Sequence, residues 1–494
     1  MREKSSIMLL FLLVGTAGLF AQNFPRVEPE PRAFEYAQRG ARAGGYSWTD
    51  FAEISLWASG DTGITVNANL EKIRAAANEL RASPGLPQAE KDQAEYVLNF
   101  MHTKFLRTYS FTQTRVDTLL SNGRYNCVSS AVLYMILAKS IGLDVTGVKT
   151  KDHAFAIVRT GGESIDVETT NPYGFDPGHR RDFHDQFGTV TGFAYVPATN
   201  YRDRVTISPV ELVSLILQNR IADLELRSRF AEAVPLAIDR AVLLGVDLSS
   251  VSFGPENAAH DSIFENPRQD MMNRIFNYGA SLLKAGKEED CLRWAGLVMP
   301  LYPDSSRWQE FILAATNNRA QKLIRTGQFA AVRELLDSQK PFIDPVEYLR
   351  LEAAVIDTEI VNNASKIITA GEGVIILDTI EQARSNKQIE EARAAELIIF
   401  TAQKTAAALS AAPARDWLAA INFIETVIVR FGSHSDLDRS LQIYRSNRAS
   451  DFHNRFASAY NRRNYEEASR IIDEALAEFP DNRQLLADKN LLDF

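Results

Sequence analysis

The chain has 494 residues, 45% of them hydrophobic and 24% charged, with a formal net charge of −9. That length exceeds one ordinary domain, so two or three are expected. The acidic balance and the lack of any Lys/Arg-rich cluster exclude a basic nucleic-acid footprint.

Arg2 and Lys4 precede an apolar run from Ile7 to Val14, and Gly15 to Ala21 is made mostly of small residues. This is the pattern of a secretory signal peptide over 1–21, with cleavage after Ala21. The run is short for a membrane span, and no later segment is long and apolar enough to cross. The expected product is periplasmic or secreted and has no span. Only Cys127 and Cys291 occur. Two cysteines so far apart do not make a disulfide scaffold, and two free thiols, one reactive and one buried, are expected.

Residues 22–45, rich in Pro, Arg and Gly, read as an extended lead-in. A helical pattern follows, through Leu70, Ile73 and Leu80, and is broken at Ser83-Pro-Gly-Leu-Pro87. A second helix carries Ala94, Val97, Leu98, Met101 and Phe105 on one face. Val128 to Ile141 is apolar nearly all round, the mark of a buried helix, and Gly142 stops it. Three strand-like runs come next: Asp144–Lys149, His153–Thr160 and Glu163–Thr169. Gly161-Gly162 is a hairpin signal. Ser208-Pro209 opens a helical connector over 206–269.

From about 270 the chain repeats weakly. Gly286, Gly327, Gly371, Arg415 and Arg463 serve as anchors. Glu288, Phe329, Gly373, Trp417 and Tyr465 stand two residues on, and Cys291, Val332, Ile376, Ala420 and Ala468 stand five residues on. The spacing suits stacked helical hairpins. The last unit, from Phe456 through Ala459, Tyr460, Tyr465 and Ala468 to Pro480, looks like a tetratricopeptide repeat. A protein partner on this array is an open expectation.

The chemistry concentrates in the first domain. Cys127 stands at the predicted start of the buried helix, where the macrodipole and free N–H groups stabilise a thiolate and can receive an oxyanion. His153, Phe155 and Ile157 share one strand face. With a two-residue loop at Gly161-Gly162, Thr160 pairs with Glu163 and Ile157 with Asp166. Phe155 then opposes Glu168, and His153 opposes Thr170. Glu168 is the diagonal neighbour of the imidazole, roughly 7–8 Å away between backbones, with Asp166 one step further. Either acid can orient the ring, and the register prefers Glu168. Tyr125 or Asn126 is a candidate oxyanion donor. His153, His179 and His184 with Asp176 and Asp182 make a loose cluster without zinc-ligand spacing, so no metal and no cofactor are expected.

At Cys127, at Asp152-His153-Ala-Phe and at Glu168-Thr-Thr the sequence resembles the transglutaminase-like superfamily, related in fold to papain-type cysteine proteases. The resemblance covers about 60–200. It implies an α+β domain over 46–205, with Cys127 as nucleophile, His153 as base and an acid on the following strand. An all-α helical-hairpin (TPR-like) repeat domain over 270–494 completes the expected architecture. The implied chemistry is thiol acyl transfer from a peptide or protein amide, most simply as a peptidase or amidase. An inactive scaffold is one alternative. An amine-to-glutamine acyltransferase is another, weakened by the absence of a calcium-loop pattern.

Overall fold

A computed structural model describes residues 24–42, 45–179, 204–248, 266–302 and 305–492. The signal stretch, Asp182 and His184 lie outside them. The α+β expectation for the catalytic region is corrected: the structure is 69% helical and only 6% strand, with 19 helices among the described residues. Strand-forming runs are present, but they are short, and helices supply most of the packing around them.

Two compact units divide the chain, Met1–Trp308 and Gln309–Phe494. The division falls near the start of a helix, Ser305–Arg325. It does not fall at the expected junctions near 205 and 270, because the helices between those positions pack into the first unit's core.

In the first unit, the lead-in expected to be extended contains helix α1 (Pro31–Arg42), which buries Ala33 and Tyr36. Arg26 holds Asp239 through two hydrogen bonds of 3.1 and 2.6 Å, and the Glu30 N–H donates to the same carboxylate at 2.7 Å. Helices α2 (Trp48–Ala58), α3 (Ile64–Arg81) and α4 (Glu90–Lys104) follow. The break between α3 and α4 lies where Pro84 and Pro87 forbid helix continuation. Strand β1 (Thr108–Tyr109) pairs in parallel with β2 (Arg124–Tyr125), placing Tyr109 opposite Tyr125. Helix α5 (Val116–Asn122) lies between them in sequence.

Helix α6 (Cys127–Ser140) is the axis of this unit, and every residue in it except Lys139 is buried. Helices α2 to α5 and strands of the main sheet pack on it. Its first turn is fastened by a capping box. Asn126 Oδ1 accepts from the Ser129 N–H at 3.0 Å, and the Asn126 N–H donates to Ser129 Oγ at 3.0 Å.

Strands β3 (Asp144–Lys149), β4 (Ala154–Thr160), β5 (Glu163–Val167) and β6 (Val205–Ile207) form an antiparallel sheet in the order β5-β4-β3-β6. Gly161 and Gly162 both have positive φ, 58° and 85°, the geometry of a two-residue hairpin turn. Thr160 therefore pairs with Glu163 and Ile157 with Asp166. The ladder ends at Ala156–Val167 and does not continue to the expected Phe155–Glu168 pair. The Glu168 N–H donates instead to the Gly174 carbonyl at 2.8 Å, so the chain turns sharply after β5.

Helix α7 (Pro209–Leu226) starts from a Ser208–Glu211 capping box and packs on α2, α6 and β3. Helix α8 (Phe230–Leu243) packs against it. These two helices of the connector are thus part of the core. Helices α9 (Pro267–Lys284) and α10 (Glu288–Val298) end this unit.

The repeat positions map onto helical hairpins. Helix α11 (Ser305–Arg325) is followed by α12 (Phe329–Gln339), and α13 (Pro345–Ala364) by α14 (Ala370–Ser385). Helix α15 (Glu391–Leu409) precedes α16 (Trp417–Phe431), and α17 (Ser435–Asn461) precedes α18 (Tyr465–Glu478), with α19 (Arg483–Asn490) last. Gly286, Gly327, Arg415 and Arg463 adopt positive φ, and the next helix begins two residues after each. Gly371 departs from the pattern and lies inside the first turn of α14. Cys291, Val332, Ile376, Ala420 and Ala468 are all buried.

The turn after β5 sets a strict local demand. A Cβ on Gly174 would lie 1.9 Å from the Glu168 carbonyl oxygen. Gly174→Ala is expected to cost about 1–3 kcal/mol by overpacking, read as a lower urea midpoint at unchanged slope. An unchanged midpoint would mean that the turn yields without penalty.

Candidate active site

Cys127 is the first residue of α6 and is 7% exposed. The backbone N–H groups of a helix's first turn lack intrahelical partners. Here that of Ser129 goes to Asn126, while those of Cys127 and Val128 sit at the positive end of the dipole, beside the sulfur. His153 lies just before β4. Its Nε2–H donates to Glu168 Oε2 at 2.6 Å, and the Cys127 side chain lies near enough to the ring to favour its charged form. With Nε2 given to the acid, Nδ1 is the nitrogen left for the sulfur. Burial opposes a charge on His153. The Glu168 carboxylate and then Cys127 outweigh it, raising the imidazole well above its ordinary pKa.

Glu168 has no solvent exposure. Its second oxygen, Oε1, accepts from the Thr170 N–H at 3.1 Å and from Thr170 Oγ1 at 2.7 Å. The Thr169-Thr170 pair is in turn held from three sides. Ser130 Oγ of α6 meets Thr169 Oγ1 at 2.8 Å. His102 Nε2 of α4 meets the Thr169 carbonyl at 3.1 Å. Tyr125 Oη donates to the Thr170 carbonyl at 3.2 Å. The helix that carries Cys127 thereby helps fix the position of the acid.

Cys127, His153 and Glu168 therefore come together. Asp166 does not join them: it forms an ion pair with Arg204, whose Nη1 is 2.6 Å from Asp166 Oδ2, and Arg204 lies over the Phe155 ring at 4.8 Å. This pair ties β5 to the start of β6. The two oxyanion candidates make other hydrogen bonds. The Tyr125 hydroxyl is spent on Thr170, and burial pushes its pKa up to about 12. The Asn126 carboxamide caps α6 and donates through Nδ2 to the Phe111 carbonyl at 3.2 Å. Among the described residues no group of His, Cys, Asp and Glu is arranged to hold a metal, and no helix is long and apolar enough to cross a membrane.

Sequence reasoning missed four residues around this triad. Ser130, Thr170 and His102 act through the Thr-Thr pair. Tyr109 stands beside Tyr125 with its ring edge-on at 5.8 Å. Its hydroxyl is buried without a hydrogen-bond partner among the described residues, and burial, then the charge of Cys127, raises its pKa. The readable signal was the Thr108-Tyr109 strand next to Arg124-Tyr125. His102 carried none, since its helix position looks like any other.

A cleft of about 350 Å³ opens at Cys127 and His153, walled by Phe111, Lys151 and α7. The other thiol, Cys291, is wholly buried in α10, and burial, then Glu288, pushes its pKa up to about 12. Both thiols are free.

No protein-family model and no curated protein matches the chain. Among solved structures the chain is similar to menin, in a crystal structure described as revealing that protein's binding site for the Mixed Lineage Leukemia protein. The identity is 10% over 84% of this chain and 94% of that one, with a TM-score of 0.29. At that score the likeness carries no argument.

Burial lowers the His102 pKa to about 4, partly offset by the Thr169 carbonyl and Glu168. Its folded value lies below the ordinary 6.5, so the unfolded chain takes up the proton first. The stabilisation is full above pH 6.5 and is lost as pH falls toward 4. The gap in thermal midpoint between wild type and His102→Gln is expected to be widest above that range and to shrink through it. A gap independent of pH would show that the ring is not held neutral.

Proposed function

We propose that the protein is an exported thiol hydrolase, a peptidase or amidase, acting through Cys127, His153 and Glu168. The single observation that carries this reading is the imidazole held by the buried Glu168 carboxylate at 2.6 Å, close to the thiol at the head of α6. The same three residues carry the resemblance to transglutaminase-like enzymes. Export rests on the signal pattern of residues 1–21. The helical hairpins from 305 onward offer a surface for a protein partner.

In this mechanism His153 Nδ1 takes the proton of Cys127, and the raised imidazole pKa favours the thiolate–imidazolium pair. The sulfur attacks the amide carbonyl carbon, and the carbonyl electron pair moves to oxygen. The first-turn N–H groups of α6 receive that oxyanion, and the buried Tyr109 hydroxyl, without a partner of its own among the described residues and sensitive to the charge of Cys127, is proposed as a further donor. As the intermediate collapses, the C–N bond breaks and His153 gives its proton to the leaving amine. Water, deprotonated by His153, then attacks the thioester, releasing the acid and restoring the thiol. Glu168 accepts from the ring throughout and keeps it upright.

The first test is alkylation by iodoacetamide, read by mass spectrometry. Cys127 is expected to react far faster than a free model thiol, Cys291 hardly at all, and His153→Ala to remove the advantage. A Cys127 rate equal to that of the model thiol would overturn the enzymatic reading.

Glu168→Gln is expected to lower the imidazole pKa, because the carboxylate is the largest influence raising it. The alkaline limb of the alkylation profile then moves to lower pH, whereas Asp166→Asn leaves it in place. A shift caused by Asp166→Asn instead would exchange the roles of the two acids. Tyr109→Phe is expected to lower kcat about 10-fold or more, as for loss of an oxyanion donor, with little change in thermal midpoint. An undiminished kcat would remove Tyr109 from the mechanism.

A further inference from the structure

The cleft at Cys127 has a wall that the hydrolase reading does not yet use. Leu215, Gln218, Asn219, Ala222, Asp223 and Leu226 all line it. Their spacing of three and four residues makes one stripe along α7. The stripe therefore runs from the buried middle of the helix to its C-terminal end, alongside the thiol.

Its chemistry is uneven in an informative way. Leu215 and Ala222 give an apolar surface that continues into Val128 and Ala154 at the foot of the cleft. At the mouth, Leu226 is 87% exposed and Phe111 on the facing loop is 64% exposed. A scattered exposed leucine means little by itself. These two large side chains, however, border the same cleft as the nucleophile. The lining carries both signs, Lys149 and Lys151 with Asp152 and Asp223, the last also paired with Arg227 at 2.9 Å, so no single charge marks the cleft for an ionic substrate. Asn219 donates through Nδ2 to Thr114 Oγ1 at 3.2 Å, which leaves its amide oxygen as an acceptor for a peptide N–H.

We propose that α7 is the substrate wall of this site, and that the acyl donor it selects is a peptide with a bulky apolar side chain next to the scissile carbonyl. The side chain lies between Phe111 and Leu226, over Leu215 and Ala222, with the peptide N–H directed to Asn219. This rests on the thiol-hydrolase reading and adds to it the class of substrate. Covering a leucine-sized side chain in a half-open cleft is worth about a 10-fold preference over glycine.

Affinity labels test this on the full chain without needing turnover. Acetyl-leucine, acetyl-glycine and acetyl-glutamate chloromethyl ketones are compared for their rates of modifying Cys127, with iodoacetamide as the reference reagent. Wild type is expected to react about 10-fold faster with the leucine reagent than with the glycine reagent, and slowest with glutamate. Leu226→Asp and, separately, Phe111→Ser should bring the leucine-to-glycine ratio toward one. Both positions are exposed, so folding is retained, and the ratio within each variant corrects for any change in thiol reactivity. Equal leucine and glycine rates in wild type, a preference for glutamate, or a ratio that survives both substitutions would overturn the proposal. A slow iodoacetamide reaction at Cys127 would instead overturn the hydrolase reading beneath it, so the two failures are distinct.

Discussion

A carboxylate with no contact with water is the constraint around which the first unit is organised. Burying a carboxylate carries a desolvation cost of several kcal/mol unless its oxygens are fully partnered. Each oxygen is partnered, one by the His153 ring and the other by the Thr170 N–H and hydroxyl. The partners need to be rigid as well as present, since a loose partner would leave part of the charge uncompensated. The turn from Glu168 to Gly174 closes on itself. Ser130 then binds Thr169 to the helix that carries the thiol, while His102 of α4 and Tyr125 of β2 hold the same threonine pair. The stability of the acid and the position of the thiol are thus one problem with one solution.

The same argument explains why the two acids on one strand face have separate fates. Asp166 finds a guanidinium in Arg204 and serves to join β5 to the β6 region. Glu168 finds neutral donors and an imidazole. A carboxylate paired with arginine is a structural tie, because the guanidinium always carries its charge. A carboxylate paired with histidine can follow a proton that comes and goes. Environment, rather than residue type, divides the labour between them.

The helical hairpins obey a simpler rule. At four of the five anchors a left-handed residue ends the turn, Glu288, Phe329, Trp417 or Tyr465 starts the next helix, and the position three beyond it is buried. Such units cannot cover their apolar faces alone, and stacking supplies the cover. Arg415 and Arg463 hold the left-handed conformation without being glycine, so the rule is geometric and tolerates a strained side chain at the turn.

Much of this was legible from residue order. Gly161-Gly162 defined the strand register, and that register put Asp166 and Glu168 on the ring's face. The all-round apolar run after Cys127 marked a central helix, and the repeat anchors marked most of the hairpin turns. These are local signals, carried by backbone freedom and by hydrophobic period. The helical dominance of the first unit, the packing of the 206–269 helices on its core and the helix within the lead-in were not legible, since a short strand and a short helix compete on local preference alone. Nor was the choice of acid decided locally: it turns on Arg204, which meets Asp166 across the sheet, and on Gly174, which swings Glu168 out of the ladder. Sequence by itself determined which groups of reactive chemistry the chain owns and in what order it meets them. Tertiary structure decided which of them share a desolvated space, because contact between distant residues depends on how the whole core closes, and no local pattern encodes that closure.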